Sequence, residues 1–188
     1  MRNLTKTALA TALIAISATA LAEDRQIHMS FIEATGHDRQ LVINHDTHGY
    51  PTDANELTAI LEAQGATIEA RYGLQMPSEP GVPETINRTS IHNVGGDIVD
   101  RGLEYSIMTS DAYPGGYDVH YSVSHSGIAD IVVEDGIIVP VMDAKHLTET
   151  FNVEEGYDFN HTATYRIKDM DDEGFFMPKR VYVVINVE

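Results

Sequence analysis

Apolar and polar side chains alternate with a period of two near the C-terminus of the chain. Between Tyr157 and Ile167 the odd positions are mostly apolar and the even positions are all polar. Because successive side chains of a strand point to opposite faces, this pattern predicts a β-strand with one buried face. The β-branched run Val181–Val187 is apolar on nearly both faces, which is typical of a strand in the middle of a sheet. Leu147–Val153 predicts a weaker strand, and Glu154–Gly156 predicts a hairpin turn that joins it to Tyr157.

Shorter stretches of the same alternation recur through the rest of the chain. The prolines at 77, 80 and 83 predict an edge strand or a loop, because proline has no N–H for the ladder. The Asp135-Gly136 dipeptide predicts a two-residue hairpin turn between apolar runs. The further predicted strands are Arg25–Ala34, Leu41–Ile43, Ala66–Leu74, Thr85–Val94, Leu103–Thr109, Tyr117–Val123 and Ile128–Val141.

One helix is predicted over residues 54–64. Asp53 and Glu56 come close to a capping box, and Glu56 also suits the positive N-terminal end of the helix dipole. Apolar residues at helical spacing follow, and Gly65 stands where a left-handed C-terminal cap is needed. The elements together predict an α+β domain of eight or nine strands. Its sheet is mostly antiparallel and sandwich-like, with the one short helix packed on a face.

Residues 1–22 have the pattern of a secretory signal peptide. Arg2 and Lys6 form a basic start, an apolar run of small residues extends to Ala20, and Ala20-Leu21-Ala22 is a small-x-small cleavage site. The apolar run is too short for a membrane-spanning helix, which needs about 20 residues. We therefore expect export to the periplasm or the outer membrane, a single β-rich domain over residues 23–188, and no transmembrane segment in the mature chain.

Charge and cysteine content exclude several classes of function. The net charge of −17 argues against binding to nucleic acid or to an anionic membrane surface. The sequence contains no cysteine, so thiol catalysis, cysteine metal sites and disulfides are excluded. The acidic excess fits a cationic partner, divalent ions or a salty habitat, and it also fits simple solubility, which we favour.

The candidate metal ligands are His45, Asp46 and His48, which lie in one predicted loop. Imidazole and carboxylate groups suit zinc or nickel, but a further ligand would be required and the sequence names none. Asp169–Gly174 resembles the opening of a calcium loop. Arg180 stands where an EF-hand needs a glutamate, so an EF-hand is excluded and looser calcium binding between strands stays an open alternative. An exposed polar loop is the simpler interpretation of both segments.

Neither the remaining histidines nor the known catalytic motifs indicate an active site. We expect His120 and His125 to be exposed near a strand end, and His161 to be partly buried on an apolar face. The sequence contains no nucleophile elbow, phosphate loop or dinucleotide fingerprint. We therefore predict no catalytic residue, no cofactor and no enzymatic activity, and a hydrolase that uses unidentified carboxylates ranks last.

Several segments, taken in order, resemble the core β-domain of bacterial secretins. Secretins are the outer-membrane ring proteins of type II and type III secretion and of type IV pilus systems. The segments are the opening strand Gln26–Ala34 with its acidic end, the strand-turn-strand segments Gly102–Ile107 and Gly116–Ser124, then Pro140, Leu147–Val153 and Gly156, and the closing strand Val181–Val187.

The chain also departs from the secretin pattern. His161-Thr162-Ala163 replaces the paired glycines that usually follow the glycine turn, and Leu74–Thr85 is too short and proline-rich for membrane-spanning hairpins. Separate ring-building domains are not recognised. The resemblance implies a small secretin-like module or accessory that acts by contact with envelope proteins or with itself. The alternative is a periplasmic metal- or small-ligand-binding module.

Overall fold

Two four-stranded antiparallel sheets pack face to face in the computed structural model of the chain. The structure describes residues 25–44, 51, 53–112, 115–170 and 174–188. Within these residues, sheet A has the order β2-β1-β8-β7 and sheet B has the order β3-β4-β5-β6. The strands are β1 (Arg25–Thr35), β2 (Thr67–Ser78), β3 (Glu84–Val94), β4 (Asp97–Asp111), β5 (Tyr117–Glu134), β6 (Ile137–Val153), β7 (Phe159–Met170) and β8 (Phe176–Val187), and the helix α1 is Ala54–Ala63.

The C-terminal strand β8 lies in the middle of sheet A, as its apolar run predicts. It pairs with β1 on one side and with β7 on the other. Residues 181–185 are buried on both faces. Val183 and Ile185 face sheet B in the main core, whereas Tyr182 and Val184 face the helix. The predicted sandwich-like α+β class is therefore confirmed.

The helix packs on the outer face of sheet A. The Asp53 side chain accepts hydrogen bonds from the backbone N–H groups of Asn55 and Glu56, as an N-terminal cap of a helix does. Leu57 and Leu61 are buried against β1 and β8. Gly65 adopts a φ of 82°, which fits its predicted role at the helix end.

The short strand predicted at Leu41–Ile43 is wrong. A 3-10 helix at Asp38–Gln40 precedes this segment, which pairs with no strand among the described residues. Leu41 is buried in the helix-side cluster, and its carbonyl oxygen accepts hydrogen bonds from Arg180 and the hydroxyl of Tyr182. These side chains satisfy a backbone acceptor that a neighbouring strand would otherwise have to satisfy.

The hairpin predicted between Leu147–Val153 and Tyr157–Ile167 is also wrong. Gly156 has the positive φ expected of a tight turn. However, β6 belongs to sheet B and β7 to sheet A, so the turn carries the chain from one sheet to the other. The segment 147–153 is the end of a 17-residue strand whose partner is β5.

Sheet B extends beyond the sandwich as two hairpin arms. Ladder pairing between β4 and β5 stops at Gly102 and Ser126. The β3–β4 pair continues alone to the turn at Gly95-Gly96, and the β5–β6 pair continues to Asp135-Gly136, the predicted hairpin turn. We name these continuations arm 1 (residues 90–101) and arm 2 (residues 127–143). Strands β4 and β5 are consequently much longer than their alternation alone predicts.

Truncation of a core isoleucine should destabilise the domain strongly. We expect Ile185→Ala to lower the free energy of unfolding by about 2–5 kcal/mol, because the side chain is fully buried between the sheets. The same change at Ile91, which is 74% exposed on arm 1, should change it by less than about 0.5 kcal/mol. Urea unfolding at low protein concentration measures both, and equal effects would contradict this placement of the core.

Candidate functional site

At one end of the sandwich, the buried stripes of five strands change from apolar to polar at the same level. Each polar residue is in phase with the apolar stripe of its own strand, so it points between the sheets rather than into solvent. We name this set the polar end layer. Its members are Glu33 of β1, Arg101 of β4, His125 of β5, Asp169 of β7 and Lys179 of β8.

Asp169 connects the two sheets within this layer. Its Oδ2 lies 2.9 Å from Nη2 of Arg101, which also donates to the carbonyl oxygen of Met170. Its Oδ1 accepts hydrogen bonds from the backbone N–H groups of Ile128 and Met170. A Cβ at Gly127 would lie 2.9 Å from the Asp169 carboxylate, so only glycine allows β5 to approach this closely.

His125 is buried in the layer, contrary to the prediction that it is exposed. Strand β5 does not end at Val123 but continues, which leaves His125 on the inner face and 6% exposed. Its Nδ1 lies 3.0 Å from the hydroxyl of Tyr165. Burial lowers the pKa of His125, although the carboxylates of Glu33 and Asp169 oppose this shift. Burial therefore favours the neutral form of this imidazole over the charged form.

A cavity of about 630 Å³ opens beside the polar end layer, between the edges formed by β2 and β3. The guanidinium of Arg88 lies on its wall, 4.8 Å from the centre of the Tyr72 ring. The other charged groups of the wall are mostly paired with one another, as in the 3.3 Å contact between Lys179 and Glu33. Such mutual pairing satisfies buried charges and suits a structural role.

Two histidines on the outer face of sheet B bridge hydroxyl groups of neighbouring strands. His120 contacts Ser110 and Thr150, and His146 contacts Ser124 and Thr148, at 2.9–3.1 Å. A catalytic serine–histidine pair has a third group that orients the base, usually a carboxylate. Here a threonine hydroxyl takes that position, so the geometry does not favour nucleophilic catalysis.

The described residues contain no group of three or more histidine, aspartate or glutamate side chains placed to hold a metal ion. The predicted ligands His45, Asp46 and His48 lie outside the described residues. So do residues 171–173 of the predicted acidic loop. Asp169 was expected in that loop, but it lies within β7, where its carboxylate is occupied by the donors named above.

A second cluster lies at the edge of sheet B that faces β7. Oε2 of Glu149 accepts a hydrogen bond from the hydroxyl of Tyr121 and lies 3.2 Å from Nε2 of His161. Burial lowers the pKa of His161, while Glu149 opposes this shift. His161 is partly buried beside Phe151, in agreement with its predicted position on an apolar face.

The hairpin arms carry large apolar side chains that are exposed to solvent. The exposed residues are Ile91 and Ile98 on arm 1, and Val133, Ile137, Ile138, Val141 and Met142 on arm 2. The two arms touch where Gly95 meets Ile138, and a Cβ at Gly95 would lie 2.4 Å from the Ile138 Cβ. Exposed apolar groups concentrated in one part of a surface are typical of an interaction site. The sequence predicts the Asp135-Gly136 turn of arm 2, but it does not predict that the arms extend beyond the core.

Comparison with solved structures returns secretins. A chain of the Klebsiella pneumoniae type II secretion outer membrane complex of PulD, PulS and PulC HR domain aligns at a TM-score of 0.42 and 10% identity, over 96% of this chain and 42% of that one. The type II secretin GspD of enteropathogenic Escherichia coli aligns at a TM-score of 0.38 and 9% identity, over 95% of this chain and 71% of that one. Aeromonas hydrophila ExeD aligns at a TM-score of 0.37 and 10% identity, over 95% of this chain and 50% of that one.

The resemblance to secretins that the sequence predicts is thus confirmed as a likeness to secretin domains that extends over nearly the whole chain. The chain spans less than half the length of the Klebsiella chain it matches. At about 10% identity and TM-scores below 0.5, neither the activity nor the partners of these proteins are carried over to this chain. No family model and no curated protein matches the chain. In the part of the chain that the structure describes, no helix is both long and apolar enough to cross a membrane.

Loss of the buried cation Arg101 should lower the free energy of unfolding far more than loss of an exposed arginine. We expect Arg101→Met to lower the free energy of unfolding by about 3–5 kcal/mol, because it leaves Asp169 buried without its counter-ion. The matched control is Arg166→Met. That change removes an ion pair to Asp38 in which both side chains are more than half exposed, and it should cost at most about 1 kcal/mol. Chemical denaturation compares the two, and similar losses would refute the buried linkage.

Acidification should destabilise the fold through His125. Because the folded pKa of His125 lies below its unfolded value of about 6.5, the unfolded chain binds the extra proton more readily, and stability falls as the pH drops below that value. The loss of unfolding free energy between pH 7.5 and pH 5.5 should therefore be smaller in His125→Gln than in the wild type.

The matched control for this pH effect is Tyr165→Phe. It removes the hydroxyl beside His125 but keeps the buried imidazole, so it should retain the acid-dependent loss. Urea titrations of all three proteins at both pH values provide the comparison. Parallel pH profiles for the wild type and His125→Gln would show that His125 does not carry the effect.

Proposed function

We propose that this chain is an exported, non-enzymatic assembly module of the cell envelope that works by contact with further copies of itself. The observation that carries the proposal is sheet B, an open four-stranded sheet whose two arms extend past the core and expose large apolar side chains. The proposal includes the predicted cleavage after residue 22 and a single mature domain over residues 23–188. A secretin-like role in secretion or pilus assembly is its more specific form.

The arms need a partner on energetic grounds. A two-stranded ribbon is marginally stable in water, and it becomes stable when it is packed against another layer or extended by further strands. Arm 2 continues beyond the last β4–β5 pair, at Ser126, as far as the pair of Glu134 with Ile137. Ile137 and Val133 are exposed along it. Contact with another chain would bury these side chains and stabilise both arms.

The edges of sheet B are available for strand pairing, whereas those of sheet A are less so. Among the described residues, β3 and β6 each pair with one strand only, and β6 is 17 residues long. The β7 edge of sheet A is folded against sheet B, where the backbone N–H of Lys168 donates to Asp143. The β2 edge contains Pro77, which cannot donate to a ladder, whereas the proline of β6, Pro140, lies in arm 2 and leaves residues 144–153 of that edge free of proline. An open edge favours the addition of strands from another chain.

The order of strands also makes this pairing repeatable. Neighbouring strands of sheet B are antiparallel, so β6 runs opposite to β3. The β6 edge of one copy can therefore form an antiparallel ladder with the β3 edge of the next copy. Such head-to-tail contacts use two different surfaces, and they produce a ring when the rotation between copies closes.

Charged residues on arm 1 should weaken this association. We expect Ile91→Lys combined with Ile98→Lys to shift the mature chain, residues 23–188, from a discrete oligomer to a monomer, because the apolar surface that contact would bury is lost. Light scattering after gel filtration at two salt concentrations measures the mass. Val42→Lys combined with Tyr157→Lys is the matched control, since these residues are also exposed but lie outside sheet B. A wild-type protein that is monomeric at both salt concentrations would refute the proposal.

A further inference from the structure

The inner face of sheet B carries charged side chains on both of its edge strands. The ladder registers place Arg88 of β3 in the same row as Lys145 of β6, with Leu103 and His125 between them. The row that holds Glu84 of β3 ends in Glu149 of β6 by the same registers. If the β6 edge of one copy paired with the β3 edge of the next without a stagger, both rows would bring like charges together, and such pairs are destabilising.

Arg88 has no carboxylate partner among the described residues. Its guanidinium lies over the Tyr72 ring at the open side of the sandwich, and its side chain is exposed. The other arginines that face the sandwich are engaged by acceptors, as Arg101 is by Asp169. Arg88 is therefore a cation on the β3 edge that can accept a carboxylate from outside its own chain.

Glu149 offers the matching carboxylate on the β6 edge. Both of its contacts inside the chain, from Tyr121 and His161, are made to Oε2, and the side chain is 43% exposed. Asp143, the other carboxylate on the inner face of β6, is less available, because it binds Nζ of Lys145 and the backbone N–H of Lys168. Glu149 thus retains Oε1 as an acceptor for a second cation.

A shift of four residues between the β6 edge of one copy and the β3 edge of the next brings Glu149 and Arg88 together. With Arg88 of one copy opposite Glu149 of the next, Ile86 comes to lie opposite Phe151, and both of these apolar side chains are only partly buried in the single chain. Arg88 and Glu149 occupy the same inner face of their strands, as a cross-strand pair requires. The alternative of Arg88 opposite Asp143 would place Ile86 opposite Lys145, which buries neither.

We propose that Arg88 of one copy forms an ion pair with Glu149 of the next, and that this pair sets the register of the ladder between copies. The proposal rests on the proposed function, because it requires that copies associate through the edges of sheet B. A charged pair of this kind excludes the unstaggered register as well as favouring the staggered one.

The absence of cysteine from the sequence allows a direct test by disulfide trapping. The variant carries Ile86→Cys and Phe151→Cys in one chain, positions that are opposite each other in the staggered register and that leave Arg88 and Glu149 in place. Opposite residues of an antiparallel pair have Cα atoms about 4.5–5.5 Å apart, within the range a disulfide accepts. Within one chain the two positions lie on opposite edges of a four-stranded sheet, and the edges alone are about 14 Å apart, so a bond between them must join different copies.

The matched control carries Ile86→Cys and Leu147→Cys, which are opposite each other in the unstaggered register and keep all the charged residues. Leu147 and Phe151 lie on the same face of β6, about 13 Å apart, so one register cannot crosslink both variants. After mild oxidation, we expect a ladder of covalent oligomers on a non-reducing gel for the first variant and monomer for the control. A ladder from the control alone, or from neither variant while the protein is still assembled by light scattering, would overturn the proposed register but not the proposed function.

Charge reversal gives a second measurement that requires no crosslink. Arg88→Glu should weaken association about tenfold or more, and the further change Glu149→Arg in the same chain should restore it. Failure of the second change to restore association would overturn the pairing. A wild-type chain that never associates would overturn both this proposal and the proposed function.

Discussion

The buried carboxylate of Asp169 is the interaction on which the arrangement of the two sheets depends. It binds Arg101 of β4 and the backbone N–H of Ile128 in β5, so it ties the end of sheet A to sheet B at the point where the arms begin. This linkage closes the sandwich along β7 and leaves the β2 and β3 side open, where the cavity lies. A buried ion pair of this kind adds little net stability by itself, but the loss of one partner is costly.

The same geometry separates the chain into a core and an assembly surface. Below the polar end layer, the strands of both sheets bury their inner faces against each other. Beyond it, none of the described residues forms a layer over the arms, and apolar residues such as Ile98 and Val133 remain exposed. The charged groups of the layer are largely paired with one another, which favours a structural boundary over a ligand-binding site. Contact between copies is therefore the function that the geometry favours.

Local sequence patterns predict part of this fold and miss the rest for identifiable reasons. The position of β8 and the helix cap at Asp53 follow from apolar runs and capping chemistry, which act within a few residues. Local patterns do not predict which strands the turn at Gly156 connects, because a glycine with positive φ fits a hairpin and a crossing between sheets equally well.

The candidate site, too, can be predicted from the sequence only in part. A signal for His125 and Asp169 was present in the sequence, since both continue the inward phase of an apolar stripe. However, the contact of Asp169 with Arg101 joins residues 68 positions apart. The approach that Gly127 permits depends on the packing of both sheets. Neither feature can be derived from spacing along a single strand.

Hydrogen exchange of the backbone amides in β3 and β6 tests the central claim most directly. The assembled and monomeric fractions of the mature chain would be separated by gel filtration and compared by mass spectrometry. The account predicts that amides of Glu84–Val94 and Ile137–Val153 exchange more slowly in the assembled fraction, because their outer N–H groups become paired between copies, while β2 is unchanged. Equal exchange of β3 and β6 in the two fractions would contradict it.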